Sequence, residues 1–443
     1  MSGFSKEDIL RMVQEEDVQF IRMQFTDIFG QMKNVAVSVS QLERALNNQI
    51  MLDGSSIEGF VRIEESDQCL WPDLDTFAVL PWRPQYGKVA RLICDVHNPD
   101  GASFSGDPRN VLKRVVKRAA DMGFTFNVGP EMEFFLFQTD DEGNPTTVTG
   151  DQAGYFDLGP LDHGEGTRRE ICLALEAMGL EVEASHHEVS AGQHEIDMKY
   201  ADAMKAADGI MTFKLAVKTM AQKNGLHATF MPKPVFGAAG SGMHVNMSLF
   251  QDGKNAFYDE ADARKLSPLA YHFIAGLLAH AGGFCAVTNP LVNSYKRLVS
   301  GYEAPNCLAW SSSNRSALVR IPSPRGQDTR VELRSPDPSC NPYLALAVCL
   351  AAGLDGIERK LTPPEETVEN LYAMDAETLR RQGIANLPAT LEEAVFAMES
   401  DEVVTDALGP HVTSQYIAGK QREWAEYRTQ VTAWELGKYL VTY

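Results

Sequence analysis

The sequence predicts an α+β fold with a small N-terminal domain and a large C-terminal domain. Its 443 residues, 44% of them hydrophobic, exceed what one core comfortably fills, so two domains are the default expectation. Segments with strand-like alternation and segments with helical periodicity follow one another without the regular spacing of a β-α-β series. A Ser-, Gly- and Asp-rich loop at 101–107 separates two such sets. We therefore expect domains at 1–103 and 104–443.

The first domain is expected to begin with a helix followed by a small sheet. Residues 5–16 have the apolar spacing of an amphipathic helix, and residues 18–39 predict two alternating strands with a turn between them. A Pro- and Trp-containing connection at 70–87 then leads to a strand at 89–96. The segment from Asp107 onward has the cap and the periodicity of a helix, which would open the second domain.

The second domain is predicted to mix strands and helices, and its C-terminal third to be mostly helical. An apolar run from Tyr343 to Leu354 is too short to span a bilayer and predicts a buried helix. Strands are expected at 131–137, 180–189, 227–232, 241–250, 316–322 and 329–335. Helices are expected at 167–178, 201–224 and 267–286.

Charge and cysteine content narrow the class of protein. The net charge is −20 with dispersed Lys and Arg residues, which argues against direct binding of nucleic acid or of an anionic membrane. The seven cysteines form no C-x-x-C pair and their number is odd, as expected of reduced thiols. The N-terminal segment is charged from residue 6 and lacks the apolar stretch of a signal peptide. These features predict a cytoplasmic location.

Three short stretches place polar side chains two residues apart within apolar surroundings. They are Glu131-Met132-Glu133, His244-Val245-Asn246 and Glu332-Leu333-Arg334. Because side chains at i and i+2 of a strand share one face, each stretch points two polar groups the same way. A carboxylate in a buried strand is costly unless it is paired or binds a metal. The pattern therefore predicts an active site lined by strands.

Taken alone, each part of this pattern has a simpler explanation. Glu131 and Glu133 could form a solvated strand face, Glu188 and Glu195 could be surface acids beside a hairpin, and a histidine among apolar residues is usually a satisfied core residue. Five glutamates and one histidine in strand-like settings are better explained together by hard divalent cations, Mg²⁺ or Mn²⁺, than by structural zinc. The candidate ligands are Glu131, Glu133, Glu188, Glu195, His244 and Glu332.

Arginines supply the candidate groups for binding anions. No Walker A sequence occurs, and the glycines near residue 240 are too loosely spaced for a dinucleotide fingerprint. Solubility is one explanation for clustered arginines, and bidentate binding of carboxylate and phosphate is the other, since the planar guanidinium matches both anions. The arginines concerned are Arg297, Arg315, Arg320, Arg330 and Arg334.

Seven segments together resemble bacterial class I glutamine synthetases. The resemblance covers nearly the whole chain, and the order and spacing of the motifs agree with it. The segments are DGSSIEGF at 53–60, GPEMEFFLF at 129–137, HHEVSAGQHEI at 186–196, GSGMHVNMSLF at 240–250, NPLVNSYKRL at 289–298, NRSALVRIP at 314–322 and RVELRSPDPSCNPYLAL at 330–346.

The resemblance implies both a fold and a reaction. The fold would be a β-grasp-like N-terminal domain and a catalytic domain in which helices surround a curved antiparallel sheet. The reaction would be ATP-dependent ligation of ammonia to the γ-carboxylate of L-glutamate, giving L-glutamine, ADP and phosphate through γ-glutamyl phosphate. Two alternatives remain open: a ligase for another amine, and a non-catalytic regulatory relative.

The resemblance also implies roles for individual residues. A first metal site would use Glu133, Glu188 and Glu195, and a second Glu131, His244 and Glu332. Glutamate would be bound by Gly240, His244, Arg297, Glu303 and Arg334. ATP would be bound by Glu183, Ser248, Arg315, Arg320 and Arg330. Ammonium would be bound by Asp53, Ser56, Tyr155 and Glu188, and the catalytic groups would be Asp53, the flap residue Glu303 and Arg315.

Regulation and assembly are implied in the same way. Arg62 lies in GFVRIEESD at 59–67, which resembles the feedback-inhibited Gram-positive subgroup. In that subgroup glutamine is the inhibitor and the inhibited enzyme contacts nitrogen-responsive repressors. The family assembly implies a homo-oligomer of two stacked rings, a dodecamer for six subunits per ring, with each active site shared between neighbours. Ala239 departs from the family pattern, which has asparagine there.

Overall fold

The computed structural model describes residues 3–60, 67–83, 86–299, 301 and 304–443. Two residues that the resemblance singles out, Arg62 and Glu303, lie outside these ranges. The first predicted helix is present and begins where its cap predicts, because the Ser5 hydroxyl accepts a hydrogen bond from the Asp8 amide in a capping box.

The N-terminal part of the described chain builds one small mixed sheet. Its strands are ordered β2-β1-β5-β4-β3, with β1 and β5 parallel and the other neighbours antiparallel. The elements are α1 (Lys6–Glu15), β1 (Val18–Thr26), β2 (Met32–Ser38), α2 (Leu42–Leu46), β3 (Ile50–Asp53), β4 (Asp67–Val79) and β5 (Lys88–His97).

The rest of the chain surrounds a larger sheet with helices. The first half contains α3 (Pro108–Asp121), β6 (Thr125–Thr139), β7 (Pro145–Thr149), α4 (Glu165–Ala177), β8 (Val182–His187), β9 (Gln193–Met198), β10 (Ala201–Asp202), α5 (Ala203–Lys223), β11 (Leu226–Thr229), β12 (Met243–Gln251) and β13 (Lys254–Asn255). The second half contains α6 (Pro268–Thr288), α7 (Ser294–Arg297), β14 (Trp310–Ser311), β15 (Val319–Arg320), β16 (Val331–Leu333), α8 (Pro342–Glu358), α9 (Ala376–Arg381), α10 (Leu391–Glu399), α11 (Glu402–Leu408), α12 (Pro410–Tyr427) and α13 (Ala433–Tyr439).

The long strand β6 is the centre of the larger sheet. The main path runs β14-β15-β16-β12-β6-β9-β8, and β6 also pairs with the short strands β7, β10 and β11. The pairs of β6 with β9 and of β12 with β16 are antiparallel, as is the pair of β6 with β12. Residues from three parts of the chain far apart in sequence therefore face one another across neighbouring strands.

Two apolar helices, α6 and α8, form the centre of the helical core. Gly276 and Gly356 let the two helices approach closely. A Cβ on Gly276 would lie 2.1 Å from the backbone oxygen of Ala352, and a Cβ on Gly356 would lie 2.1 Å from the backbone oxygen of His272. Helix α6 is long and apolar enough to cross a membrane by length and composition alone. Most of its residues are buried against the protein, as expected of a core helix.

Several strands were not predicted by the sequence analysis, and β4 and β9 are the two longest of them. The segment taken as a Pro- and Trp-containing connection contains most of β4, which accommodates Pro72 next to an irregularity in its pairing with β5. Strand β9 is also absent from the predictions because its sequence is largely polar. The predicted helix at 201–224 begins two residues late, since 201–202 form β10.

Candidate active site

Strand register brings the predicted acidic residues together on one face of the large sheet. Glu131 of β6 lies opposite His244 of β12 on one side and Asp197 of β9 on the other. Glu133 of β6 lies opposite Glu195 of β9. We call the group Glu131, Glu133, Glu188, Glu195, Asp197, His244 and Glu332 the carboxylate cluster.

One half of the carboxylate cluster surrounds His244. Its Nδ1 lies 3.1 Å from Oε2 of Glu131 and 3.8 Å from Oε1 of Glu332, and its Nε2 lies 4.0 Å from Oε1 of Glu133. Ligand atoms of Glu131, His244 and Glu332 lie within 4.8 Å of one another. The Asn246 amide donates to the other oxygen of Glu131 at 2.9 Å, which fixes that carboxylate.

The other half lies between β8 and β9. His186 contacts Glu188 at 3.0 Å and Glu195 at 3.2 Å, and candidate ligand atoms of these three residues lie within 4.8 Å of one another. Glu133, Glu195 and His244 form a further such group, so His244 joins the two halves. Carboxylates concentrated in this way repel one another unless positive charge lies between them.

The pKa values of two acids in the cluster, Glu195 and Asp197, reflect that repulsion. Burial and the neighbouring carboxylates, Glu133 first, raise the pKa of Glu195 to about 12. Burial and Glu131 raise the pKa of Asp197 to about 6, and one oxygen of Asp197 is buried without a hydrogen-bond partner among the described residues. Burial also favours neutral Glu131, but hydrogen bonds from His244 and Asn246 outweigh it and lower its pKa to about 2.

A glycine-containing loop before β12 closes against the cluster. The Gly242 amide donates to Glu133 at 2.9 Å, and the Gln193 side chain connects Glu133 to the Gly240 carbonyl at 3.1 Å on each side. A Cβ on Gly242 would lie 2.6 Å from Nη2 of Arg297, and one on Gly240 would lie 2.3 Å from a backbone oxygen. Both positions therefore require glycine for close approach.

The predicted glutamate-binding arginines differ in their surroundings. Arg297 is almost fully buried, and its terminal nitrogens donate to the carbonyls of Ser335 at 2.6 Å and Arg334 at 3.2 Å. Arg334 pairs with Glu332 at 2.5 Å, and Arg320 donates to the other oxygen of Glu332 at 2.8 Å. The Nε atoms of Arg320 and Arg334 are buried without a hydrogen-bond partner in the part of the chain described.

A cavity of about 450 Å³ adjoins the cluster on the Glu131 side. Three of the five predicted ATP-binding residues line it, namely Glu183, Ser248 and Arg330, together with Glu131 and Tyr200. Arg330 is held in place by donating to Asn246 at 3.1 Å. The other two predicted residues lie elsewhere, because Arg320 contacts Glu332 and Arg315 contacts Tyr155.

Tyr155 lies beside the Glu188 half of the cluster. Its ring packs edge-on against His186 at a centroid distance of 5.5 Å. Burial and the nearby Glu188 charge raise its pKa, and a hydrogen bond with Arg315 opposes that rise. Tyr155, Glu188 and Arg315, which the sequence analysis assigned to ammonium binding and phosphoryl transfer, are therefore neighbours.

Comparison with family models gives a direct assignment. The glutamine synthetase beta-Grasp domain matches residues 17–99, and the glutamine synthetase catalytic domain matches residues 105–439. The chain belongs to the glutamine synthetase family. The family named by the sequence resemblance is thus confirmed, and so is the α+β fold with its two-part architecture.

Individual relatives agree along their whole length. A glutamine synthetase from Clostridium saccharobutylicum is 62% identical over all of both chains, and one from Staphylococcus aureus strain Mu50 is 59% identical over 99% of each. Among solved structures, a GmaS/ADP complex superposes with a TM-score of 0.89 at 35% identity, covering 98% of this chain and 99% of that one. The cryo-EM structure of Plasmodium falciparum glutamine synthetase superposes with a TM-score of 0.87 at 26% identity, and the match covers 99% of each chain.

The donor set of the cluster fits the divalent cations that the glutamine synthetase family uses. Glutamate oxygens with one imidazole suit hard cations, and the thiols that favour zinc are absent from the described groups of potential ligands. The unpaired oxygen of Asp197 and the raised pKa values of Asp197 and Glu195 indicate that positive charge is missing from the group. A bound cation would supply it.

The loop bearing Asp53 and Ser56 stands apart from the other predicted site residues. Asp53 is exposed and accepts hydrogen bonds from Ser55 and, at 3.3 Å, from Ser56. The same loop is tied to helix α12 through a 2.5 Å salt bridge between Glu58 and Arg422. Among the described residues, the side-chain hydrogen bonds of Asp53 and Ser56 stay within their own loop.

Three residues at the site were missed by the sequence analysis. Asp197 lies two positions after Glu195, and His186 lies two positions before Glu188, so the spacing rule used for the other strands applies to both. Gln193, which bonds Glu133, also lies two positions before Glu195. Strand β9, which contains Gln193 and Asp197, was not predicted, so the rule was not applied along it. His186 lies in the predicted strand at 180–189, where the rule was available but was not used.

Proposed function

We propose how this chain carries out the reaction of its family, the ATP-dependent synthesis of glutamine from glutamate and ammonia. The observation that carries the assignment is the convergence of all six predicted metal ligands on one face of a sheet.

The carboxylate cluster is proposed to hold two divalent cations, Mg²⁺ or Mn²⁺. Glu133, Glu188 and Glu195 would hold one, and Glu131, His244 and Glu332 the other, with Asp197 beside both sets. Such cations neutralise phosphate charge and make the γ-phosphorus of ATP a better electrophile. The two arginines bonded to Glu332 hold that carboxylate in a fixed orientation.

Phosphorylation of glutamate requires two anions to be brought together. We assign the ATP site to the 450 Å³ cavity, with Glu183, Ser248 and Arg330 on its wall. Arg320 and Arg315 are proposed to stabilise the transferring phosphoryl group, whose charge spreads over its equatorial oxygens. The γ-carboxylate of glutamate attacks the γ-phosphorus, ADP leaves, and γ-glutamyl phosphate forms.

Glutamate is proposed to lie between the glycine loop and the arginines. Arg334 has a buried Nε with no partner among the described residues, so it can donate to a substrate carboxylate without breaking its pair with Glu332. Arg297 already donates to backbone carbonyls, so it would bind a carboxylate only by sharing or exchanging one of those donors. Gly240 and His244 complete this assignment.

Ammonia then replaces phosphate at the activated carbonyl. Ammonium carries one proton too many to be a nucleophile, so the site must bind the cation and accept that proton. We propose that Tyr155 and Glu188 form one side of the ammonium site, and Asp53 and Ser56 the other. Asp53 accepts the proton in this scheme, and Glu303, which lies outside the described residues, is the flap that excludes water.

We propose that Asp53 and Ser56 reach this site from a neighbouring subunit of a two-ring homo-oligomer, a dodecamer if each ring has six subunits. Within one chain, the described side-chain hydrogen bonds of Asp53 and Ser56 are confined to their own loop and none reaches the cluster, which supports this arrangement. Co-expression of Asp53→Ala with Arg315→Ala subunits should then regenerate about one quarter of the sites on random mixing, although neither variant is active alone. Inactive mixed oligomers, verified by mass analysis, would show that both residues serve the same chain.

The test of the reaction itself is release of phosphate from ATP and glutamate. Ammonium should support it in the presence of Mg²⁺ or Mn²⁺, with glutamine as the product, and putrescine or no amine should not. Faster turnover with putrescine would indicate a ligase for another amine. No turnover with any amine, from folded and metal-loaded enzyme, would indicate a regulatory relative.

Feedback inhibition by glutamine and a cytoplasmic location complete the proposal. We infer that glutamine is a feedback inhibitor acting through Arg62, which lies outside the described residues, and that the inhibited enzyme contacts a nitrogen-responsive repressor. Arg62→Ala should raise the glutamine concentration needed for inhibition and leave turnover unchanged, and an unshifted inhibition curve would remove Arg62 from the mechanism. We also propose a cytoplasmic location and domains at 1–103 and 104–443.

A further inference from the structure

A second cavity lies between the N-terminal sheet and the start of helix α5. Its volume of about 390 Å³ is in the range of small-molecule sites. Strands β4 and β5, the connection after α4 and the first turns of α5 provide its wall, including Arg91, Lys199, Lys205 and Asp208. We call it the Arg91 cavity. No role in the glutamine synthetase reaction is assigned to it.

Arg91 has the least satisfied side chain on this wall. The residue is 6% exposed, and its Nε and one terminal nitrogen are buried without a hydrogen-bond partner among the described residues. Leaving charged donors unpaired in a protein interior is costly. Burial correspondingly lowers the pKa of Arg91, and Asp208 only partly opposes that effect. A hydrogen-bond acceptor bound in the cavity would satisfy these donors of Arg91.

The acidic groups of the wall already have other partners. Asp208 accepts from Arg109 at 3.0 and 2.8 Å and from the Tyr343 hydroxyl at 2.7 Å. Glu181 pairs with Lys199 at 2.6 Å. Asp75, also on the wall, accepts from the backbone amide of Phe4. None of these carboxylates hydrogen-bonds to Arg91 in the described structure.

We propose that the Arg91 cavity binds a small organic anion whose carboxylate or phosphate pairs with the Arg91 guanidinium. The planar guanidinium can donate two parallel hydrogen bonds to either group by using Nη2 together with Nε or Nη1. Lys205 in the first turn of helix α5 is exposed and adds one cation to the wall, and Asp202, which caps the N-terminus of this helix, lies 3.7 Å from the Lys205 amine. Pro130, Met198 and Tyr200 line both this cavity and the nucleotide cavity, so the proposed anion is separated from ATP by one layer of side chains.

The test measures anion binding to full-length enzyme whose active site is already filled. Mg²⁺, glutamate and a non-hydrolysable ATP analogue with an intact triphosphate occupy the catalytic site, so that added phosphate cannot bind there. Inorganic phosphate and acetate are then titrated separately by calorimetry, which distinguishes a phosphate site from a carboxylate site. The variants are Arg91→Met, which removes the charge at similar volume, and Lys199→Met, whose amine already pairs with Glu181.

The expected result is saturable binding of one anion per chain to wild type and to Lys199→Met. Arg91→Met should bind the same probe about tenfold more weakly or worse, the loss expected for one charged pair. Equal binding to wild type and Arg91→Met, or no binding of either probe to wild type, would overturn the proposal. If Arg91→Met does not fold, selenate in wild-type crystals decides instead: an anomalous peak within hydrogen-bond distance of Arg91 supports the site, and water alone there refutes it.

Discussion

Two groups of buried acids in this chain have opposite surroundings. In the carboxylate cluster, Glu133, Glu195 and Asp197 lie close together, and burial with repulsion from neighbouring carboxylates raises their pKa values. Where the N-terminal sheet meets α3 and α5, Asp73, Asp95 and Asp208 instead surround one arginine. We call these three acids and Arg109 the Arg109 cluster.

Each acid of the Arg109 cluster has a cationic partner. Arg109 pairs with Asp73 at 2.6 Å, with Asp95 at 2.7 Å and with Asp208 at 2.8 Å, and Lys113 adds a second cation at Asp95. Burial opposes ionisation of Asp95, but these two cations outweigh it and lower its pKa. Burial of an acid is therefore weak evidence for a catalytic role, whereas an unmet need for positive charge is stronger evidence.

The largest effect is expected from Glu195→Gln in the carboxylate cluster. Turnover should fall by about 10²- to 10³-fold, because a cation ligand and its charge are lost. The metal-free protein should become more stable, because the raised pKa of Glu195 means that near neutral pH its carboxyl must take up a proton as the chain folds, whereas glutamine need not. Steady-state kinetics and thermal unfolding in chelator measure the two effects. Turnover within tenfold of wild type would remove Glu195 from the cation site.

Asp208→Asn in the Arg109 cluster should give the reverse pattern. Removing one partner of a buried ion pair costs about 3 to 5 kcal/mol of stability. The surviving folded enzyme should keep its turnover within about twofold, because none of the proposed substrate or cation contacts involves Asp208. Denaturant unfolding at saturating Mg²⁺ measures the loss. A large fall in turnover without loss of stability would mean that the two clusters do not divide function and stability as described.

A smaller effect is expected from pH at Asp107, which adjoins the Arg109 cluster. Burial, with Asp95, raises its pKa from the ordinary 3.8 to about 7. The folded protein therefore binds a proton at Asp107 more tightly than the unfolded chain does. The stabilisation from this proton is fully present below about pH 4 and is lost as the pH rises through about 7.

Between about pH 5 and pH 7, this titration should lower the free energy of unfolding by about 1 to 2 kcal/mol in wild type relative to Asp107→Asn. Asp107→Asn also changes the free energy of unfolding at every pH, because the Asp107 carboxylate accepts hydrogen bonds from the backbone amides of Val96 and Arg109. The quantity to compare is therefore the slope of the free energy of unfolding against pH. The exposed Asp121→Asn is the control and should keep the wild-type slope. Identical slopes for wild type and Asp107→Asn would contradict the raised pKa.

The smallest effect concerns Ala239, where the family has asparagine. The loop is held here through its backbone, because the Ala239 amide donates to the Ser190 hydroxyl at 2.9 Å. Ala239→Asn adds about one hydrogen bond, roughly 0.5 to 1.5 kcal/mol, and should change the KM for glutamate by less than about tenfold. A larger gain accompanied by a rise in kcat would show that the side chain matters more than the backbone contact.

The carboxylate cluster was predictable from sequence because strand geometry is local. Glu131, Glu133, His244 and Glu332 lie in apolar strands whose alternation fixes which side chains share a face. The Arg109 cluster was not predictable in this way. Its acids come from β4, β5 and α5, and only the packing of the two domains brings them to one arginine. Strand β4 itself was missed because Pro72 and its acidic residues resemble a loop.

The carboxylate cluster should bind divalent cations, and the Arg109 cluster should not. The most direct measurement is anomalous diffraction from crystals of the full-length enzyme grown with Mn²⁺ and a non-hydrolysable ATP analogue. We expect one manganese peak among Glu133, Glu188 and Glu195 and another among Glu131, His244 and Glu332. We expect no peak at Asp73, Asp95 and Asp208. Absence of both peaks from the carboxylate cluster, or a peak at the Arg109 cluster, would contradict this expectation.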